Sequence, residues 1–242
     1  LESISYARNK FEVLIVDDGS THPLNDKELK LQFPGMIIQV IRLDHNQGIV
    51  HALNEGLNAL KNRNDIKYIA RLDAGDTCME QRFYKQVAVL DTQPDIALLA
   101  SWARFEDIRT GKGYDYITQT THNSILKEMH YKCTFIHPSV MFRKEVLNTV
   151  GLYPTNYPHA EDYAFFWNIL KKYKGAVVPE ILVKITFSDV HVSAQNYKKQ
   201  LQTRKKIVHD FGENTWHQWM GIRMLTVKSL LSFSFILKLK SF

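Results

Sequence analysis

Three short apolar runs in the first third of the chain each stop at a polar, acid-bearing loop, and that repeated pattern limits the fold more than any other feature. Residues 11–16 (FEVLIV) stop at Asp17-Asp18-Gly19-Ser20, residues 37–43 (IIQVIRL) at Asp44-His45-Asn46-Gln47-Gly48, and residues 68–72 (YIARL) at Asp73-Ala74-Gly75-Asp76. Continuous apolar runs of this length suit strands covered on both faces. Between the second and third runs, Ile49, Ala52, Leu53, Gly56, Leu57 and Leu60 recur at the spacing of an amphipathic helix. Phe83, Val87 and Leu90 mark another helix, and residues 96–101 a fourth strand. Strands alternating with helices predict an α/β fold with a doubly wound, mostly parallel sheet. In such sheets ligands bind beyond the carboxyl ends of the strands, which is where these loops fall.

After Ser101 the pattern loosens. Residues 104–120 carry a Gly-Lys-Gly turn signal and read as a hairpin or long loop, residues 137–143 (HPSVMFR) as a strand, and residues 146–151 as a helix end. Glu161 and Asp162 head an aromatic-rich helix whose Phe165, Phe166 and Trp167 read as core. Residues 177–185 are the last strand, and two helices follow from Ser193, the second strongly apolar. The opening LESISYARNK reads as the middle of a helix, so the expectation is a chain that begins downstream of its true N-terminus.

At 242 residues the chain can hold one α/β domain with a helical appendage. Two cysteines are too few for a disulfide framework and fit a reducing compartment. No stretch has the eighteen or so uncharged apolar residues of a membrane span. The net charge is +6, and much of the basic excess lies in the last third, from Lys171 to Lys240. A basic flank can meet nucleic acid, an anionic membrane or a phosphorylated substrate. A solvated helix face accounts for it without any of these.

The acids carry the chemistry. Asp17-Asp18-Gly19-Ser20 would serve as a turn and cap, yet a turn needs one carboxylate and here two adjacent ones repel. An Asp at that edge can accept from a base's ring N–H. Asp73 and Asp76, three apart across Ala74-Gly75, can converge on one hard cation; Mg²⁺ or Mn²⁺ takes one or two carboxylates and fills its other positions with phosphate and water. The plain alternative is a turn with a helix cap. Glu161-Asp162 sits where first-turn acids are common, but a carboxylate beside aromatic walls can also act as a general base, its pKa raised by desolvation.

Five blocks together, VDDGST (16–21), HNQGIVHALNEGL (45–57), YIARLDAGD (68–76), HPSVMFRKEVL (137–147) and EDYAFFW (161–167), resemble the family 2 glycosyltransferases, inverting enzymes of the GT-A fold. Order and spacing match over roughly 11–190. The resemblance implies a GT-A domain over 1–190, with a nucleotide-sugar half to about 103 and an acceptor half from 104, and a helical extension over 191–242. It implies that Asp18 accepts from the nucleotide base, that Asn46 and Gly48 flank the nucleotide, and that Arg71 and Asp73 approach the nucleotide sugar. Asp73 and Asp76 would hold Mn²⁺ or Mg²⁺, and Asp162 would be the general base. Glu161 and His137 fall on the acceptor side, and His191, in the fainter FSDVHVSAQN block, near the diphosphate.

There are departures. Gly75 stands where the family commonly has a further acid, and the strand that normally precedes VDDGS is not among these residues. The expected donor is a nucleotide sugar, most simply a UDP-sugar. The acceptor would be a glycan or lipid-linked hydroxyl in bacterial surface polysaccharide synthesis. A cytoplasmic place follows, with peripheral contact at the inner face of the membrane through residues 224–242 or packing of that tail on another subunit, and no nucleic-acid partner. Rival readings are a phosphoacceptor signalling domain, a nucleotidyltransferase, and a catalytically impaired nucleotide-sugar-binding module of the same fold.

Overall fold

The structure, a computed structural model, describes residues 2–187 and 196–231. Strands β1 (Glu12–Asp17) and β2 (Ile37–Arg42) pair in parallel. Helix α1 (Asp26–Gln32) leans on β2 and α2 (Ile49–Lys61) on β1. The other strands form a mixed sheet in the order β3 (Tyr68–Ala70), β7 (Met141–Arg143), β5 (Ile96–Asp107), β8 (Lys174–Phe187), β4 (Thr77–Cys78), with β6 (Gly113–Tyr116) also on β5.

The α/β class is as expected, but strand direction is not. Of the six ladders among the described residues, only β1–β2 and β5–β8 are parallel. A parallel pair needs a long crossover, and the short Gly-Lys-Gly link forces β5 and β6 into a hairpin. β4 and β7, two and three residues long, are too short for direction to be readable in the sequence.

β5 divides the core. Leu98 and Ala100 meet α6 (Glu161–Leu170), while Leu99, one residue on and therefore on the opposite face, meets α3 (Arg82–Thr92). Phe165, Phe166 and Trp167 of α6 are each at most 1% exposed, and burial of each such side chain is worth roughly 1.5–3 kcal/mol. Short helices α4 (His122–Glu128) and α5 (Val146–Thr149) close the same side. Leu201, Ile207, Val208 and Phe211 of α7 (Tyr197–Phe211) join that cluster, and α8 (Thr215–Leu230) packs on α7. No helix among the described residues is long and apolar enough to cross a membrane.

Three local expectations need correction. Residues 2–7 are not helical: Ser3 and Ser5 donate their hydroxyls to the Cys78 and Glu80 carbonyls, and such side-chain bonding competes with helix formation. Residues 137–143 begin as a 3-10 turn, His137–Ser139, before the strand, because Pro138 cannot donate to a ladder. β1 is half-buried rather than covered on both faces. The reason is a cavity of about 790 Å³ between the two sheets, lined by the consecutive residues Glu12, Val13 and Leu14 of β1 and Tyr68, Ile69 and Ala70 of β3. Consecutive residues can line one cavity only if the strands meet it edge-on.

Candidate functional site

The chain leaves β3 through a tight turn. The Asp76 N–H donates to the Asp73 carbonyl at 3.1 Å, and Gly75 between them has φ +91°. A turn of this kind needs φ > 0 at its third residue, so the glycine that departs from the family pattern shapes the loop. Thr186, near the end of β8, holds it from the side: its hydroxyl donates to the Gly75 carbonyl at 2.9 Å and its N–H to Asp76 Oδ1 at 3.3 Å.

Inside this turn the carboxylates are short of partners. Arg71 Nη2 lies 2.7 Å from Asp73 Oδ1, close enough for charge attraction, yet that buried oxygen accepts no aligned hydrogen bond. Burial first, and the nearby Asp73 charge second, push the Asp76 carboxyl up to about 6. A carboxylate raised by burial and by its neighbour's charge, beside one with an unsatisfied buried oxygen, makes a pair suited to a shared cation. Among the described residues no cluster of three or more His, Cys, Asp or Glu side chains forms a complete metal cage. Two carboxylates suffice for Mg²⁺ or Mn²⁺ when substrate phosphates supply the rest.

Beneath the turn lies Arg82, fully buried and paired with no carboxylate in the described structure. Its guanidinium donates to the Arg71 carbonyl at 2.9 Å, the Val140 carbonyl at 3.1 Å and Gln86 Oε1 at 2.8 Å, and Gln86 in turn donates to the Ser139 carbonyl. One side chain thus ties the exit of β3 to the turn that carries His137.

His137 Nε2 shares a 2.9 Å hydrogen bond with the Tyr153 hydroxyl. Asn54 of α2 clamps the Tyr153 backbone from both sides, accepting from its N–H and donating to its carbonyl. Burial holds the His137 imidazole below its usual value, and the charges acting on it are those of Asp162, Arg71 and Asp73. Burial likewise raises the Tyr153 phenol, which lies in the field of Arg71, Asp162, Asp73 and Glu161. Segments nearly ninety residues apart in sequence, the β3 exit and the head of α6, therefore act on the same two side chains.

Before α6 the chain passes through His159 at φ +65°, the one described non-glycine residue with positive φ. Such strain collects at functional sites, and Gln200 of α7 braces it by donating to the His159 carbonyl at 3.0 Å. The helix head then presents Glu161 and Asp162. Glu161 is 8% exposed, has an unpartnered Oε2, and is raised by burial. Asp162 is partly exposed and accepts from the Tyr163 N–H through Oδ1. The desolvation expected of the Glu-Asp pair falls on Glu161.

At the end of β1 the acids have partners. Asp17 accepts from the Ser20 N–H and pairs with Arg42 at 2.5 Å; the Ser20 bond is the main cause that lowers its carboxyl. Asp18 accepts from the Gln47 and Gly48 N–H groups at 2.8 and 2.9 Å, holding the loop that leads into α2. Gly19, at φ +68°, lets this loop close: a Cβ there would stand 2.4 Å from the His45 carbonyl carbon.

Arg71, Asp73, Asp76, His137, Glu161 and Asp162 thus belong to one electrostatic neighbourhood. Asp18, Asn46 and Gly48 form a second group at the end of β1, and His191 lies outside the described residues. Sequence reasoning missed Asn54, Arg82, Tyr153 and His159. A positive φ at a histidine leaves no trace in composition, and a buried arginine reads like any helix-surface one.

The model of the family described as Glycosyl transferase family 2 matches residues 1–151. The chain is 27% identical over 181 residues to the amylovoran biosynthesis glycosyltransferase AmsE of Erwinia amylovora, covering 73% of this chain and 65% of that protein. It is 28% identical over 178 residues to the UDP-Gal:alpha-D-GlcNAc-diphosphoundecaprenol beta-1,3-galactosyltransferase of Escherichia coli, covering 73% and 63%. The chain therefore spans just under two thirds of these relatives. Among solved structures, the mannosyltransferase PcManGT of Pyrobaculum calidifontis, in complex with GDP-Man and Mn²⁺, superposes with a TM-score of 0.62 at 16% identity, covering 94% of this chain and 62% of that one. That likeness gives the GT-A fold and nothing beyond it.

Proposed function

The chain belongs to glycosyltransferase family 2, and from that premise we propose that it moves a sugar from a nucleotide diphosphate to an acceptor hydroxyl with inversion. One observation supports the reading: Asp73 at the β3 exit and Asp162 at the α6 head both lie close enough to His137 and Tyr153 for their charges to act on those two buried side chains. Asp162 takes the proton of the acceptor hydroxyl as its oxygen bonds to the anomeric carbon. The bond from that carbon to the diphosphate breaks on the opposite face, and a single displacement inverts the centre. Asp73 and Asp76 are the residues that would hold Mn²⁺ or Mg²⁺, which when bound neutralises the departing diphosphate. Arg71 stands beside Asp73, and its charge would serve the same leaving group, where electrostatic stabilisation commonly contributes most to the rate. Asp18, Asn46 and Gly48 take the base end of the donor.

The relatives' names support a UDP-sugar donor, a diphospholipid-linked glycan acceptor and a role in bacterial surface polysaccharide or O-antigen synthesis. The cofactor assignment is supported by the Mn²⁺ of a structure with the same fold and by the short-partnered carboxylates here. A second reading, a donor-binding module without turnover, is favoured by Gly75 in place of an acid.

The decisive pair of measurements uses Asp162→Asn: donor affinity by calorimetry with Mn²⁺, and release of nucleoside diphosphate in the presence of acceptor. We expect affinity within about threefold of the parent and turnover down by about 10²–10⁴. Wild-type turnover in that variant removes Asp162 as the base. A parent chain that binds donors and never releases the diphosphate leaves the binding module standing.

A further inference from the structure

Helix α8 is apolar on its outward face as well as its inward one. Inward it offers Gly221, Ile222 and Leu225, with His217 and Gln218 beside them. Gly221 sits so close to His130 that a Cβ would stand 2.0 Å from the His130 carbonyl oxygen. His217 Nδ1 shares a 2.7 Å hydrogen bond with the Tyr131 hydroxyl, and Gln218 donates to the Val208 and His209 carbonyls at the end of α7. Outward lie Trp216, Trp219, Met220, Arg223, Val227 and Leu230, all exposed and three or four residues apart, hence on one stripe. Five of the twelve exposed large apolar side chains among the described residues are on this one helix. A helix on a water-facing surface turns such a stripe inward, and an outward-facing one marks an interaction surface.

Charge and aromatic geometry select the occupant. From Asn214 to Phe242 there is no Asp or Glu, while Arg223, Lys228, Lys238 and Lys240 are basic, so the region complements an anionic surface. Trp216 and Trp219 stack at 5.6 Å, and the Arg223 guanidinium lies 4.0 Å over the Trp219 ring. Indole rings beside a guanidinium suit the headgroup level of a bilayer, where a ring's apolar body and polar edge are both satisfied. With sixteen residues and two cations, the helix can lie in that plane and cannot cross it.

We propose that α8 docks the protein onto an anionic membrane surface through the Trp216–Leu230 stripe. Contact then begins eight residues before the tail in which the sequence suggested it, and it starts on indoles rather than on lysines. The proposal deepens the transfer reading, since it sets the cleft beside a lipid-linked acceptor, but its test needs no activity.

The full chain is sedimented with phosphatidylcholine vesicles, with and without phosphatidylglycerol, and tryptophan emission is followed. The result expected is pelleting with the anionic vesicles, lost at high salt, with a blue shift in emission. The Trp216→Ala/Trp219→Ala pair should weaken partitioning by about tenfold or more, and Arg223→Glu should weaken it on anionic vesicles alone. These side chains face solvent, so unchanged melting and unchanged donor affinity confirm that the variants fold and separate this surface from the donor site. Equal pelleting by parent and double variant overturns the proposal, as does failure to pellet with anionic vesicles. So does an indole blue shift that arises without lipid together with dimer formation in sedimentation velocity, which would assign the stripe to a second copy.

Discussion

The acids at the end of β1 and the acids beyond β3 occupy equivalent places, each at the carboxyl end of a strand, but their surroundings differ. Asp17 and Asp18 accept from Ser20, Arg42, Gln47 and Gly48. Asp73 keeps a buried oxygen with no aligned donor, and Asp76 has a single backbone donor and a raised pKa. The first pair is already held by its own loop, and Asp18 would meet the donor base from that fixed position. The second is left unsatisfied, as a fold leaves groups that a ligand will complete. Residue type and strand-end position alone do not separate the two cases; the donors around each acid do.

Substitutions can break that contrast. The largest expected effect is that Asp73→Ala lowers turnover by about 10²-fold or more with the melting temperature little changed, since the ion pair it loses with Arg71 is partly exposed. Asp18→Ala, by contrast, should cost about 1 kcal/mol of stability through the lost bonds to the Gln47 and Gly48 N–H groups, and should also weaken donor binding. If Asp73→Ala unfolds the protein and Asp18→Ala does not, the two pairs have been assigned the wrong way round. Chemical denaturation and steady-state kinetics on the two variants decide it.

Next in size is Arg82→Met. It strips donors from the buried Arg71 and Val140 carbonyls, an expected loss of about 2–3 kcal/mol, read by urea denaturation. Arg82→Lys should recover only part of that stability, because a single ammonium can replace Nη2, which serves both carbonyls, but not also the Nε bond to Gln86. A normal rate in Arg82→Met would mean that the β3 exit holds its shape without help.

The smallest effect is a pH dependence. The Asp76 carboxyl titrates near 6 when folded, against an ordinary value of 3.8. The folded state therefore binds the extra proton between those values, and stability falls as pH rises through that window and stays lower above it. Asp76→Asn should flatten this slope and raise the melting point above pH 6 by about 2 °C or less. Adding Mn²⁺ to the parent protein should do the same by supplying the missing countercharge. A slope that survives in Asp76→Asn would place the titration elsewhere.

The elements that rest on long apolar periodicity were legible in the sequence: the strands around Leu14, Val40 and Leu98, the helix through Leu53 and Leu57, and the aromatic core of α6. The opening segment was not, because Ser3 and Ser5 bond to carbonyls some 75 residues away, and no local propensity reports such a partner. The site acids were legible as types. What the sequence hid was their support, Arg82 under one turn and Tyr153 held by Asn54 across 99 residues. Those roles depend on burial and distance, which neither spacing nor composition encodes.

Gly19 has a consequence for engineering donor preference. With no room for even a methyl group between it and His45, the loop after β1 and the loop before α2 are matched halves of one mould. A chimera that borrows either loop from a relative must borrow its mate as well, or the graft will not seat.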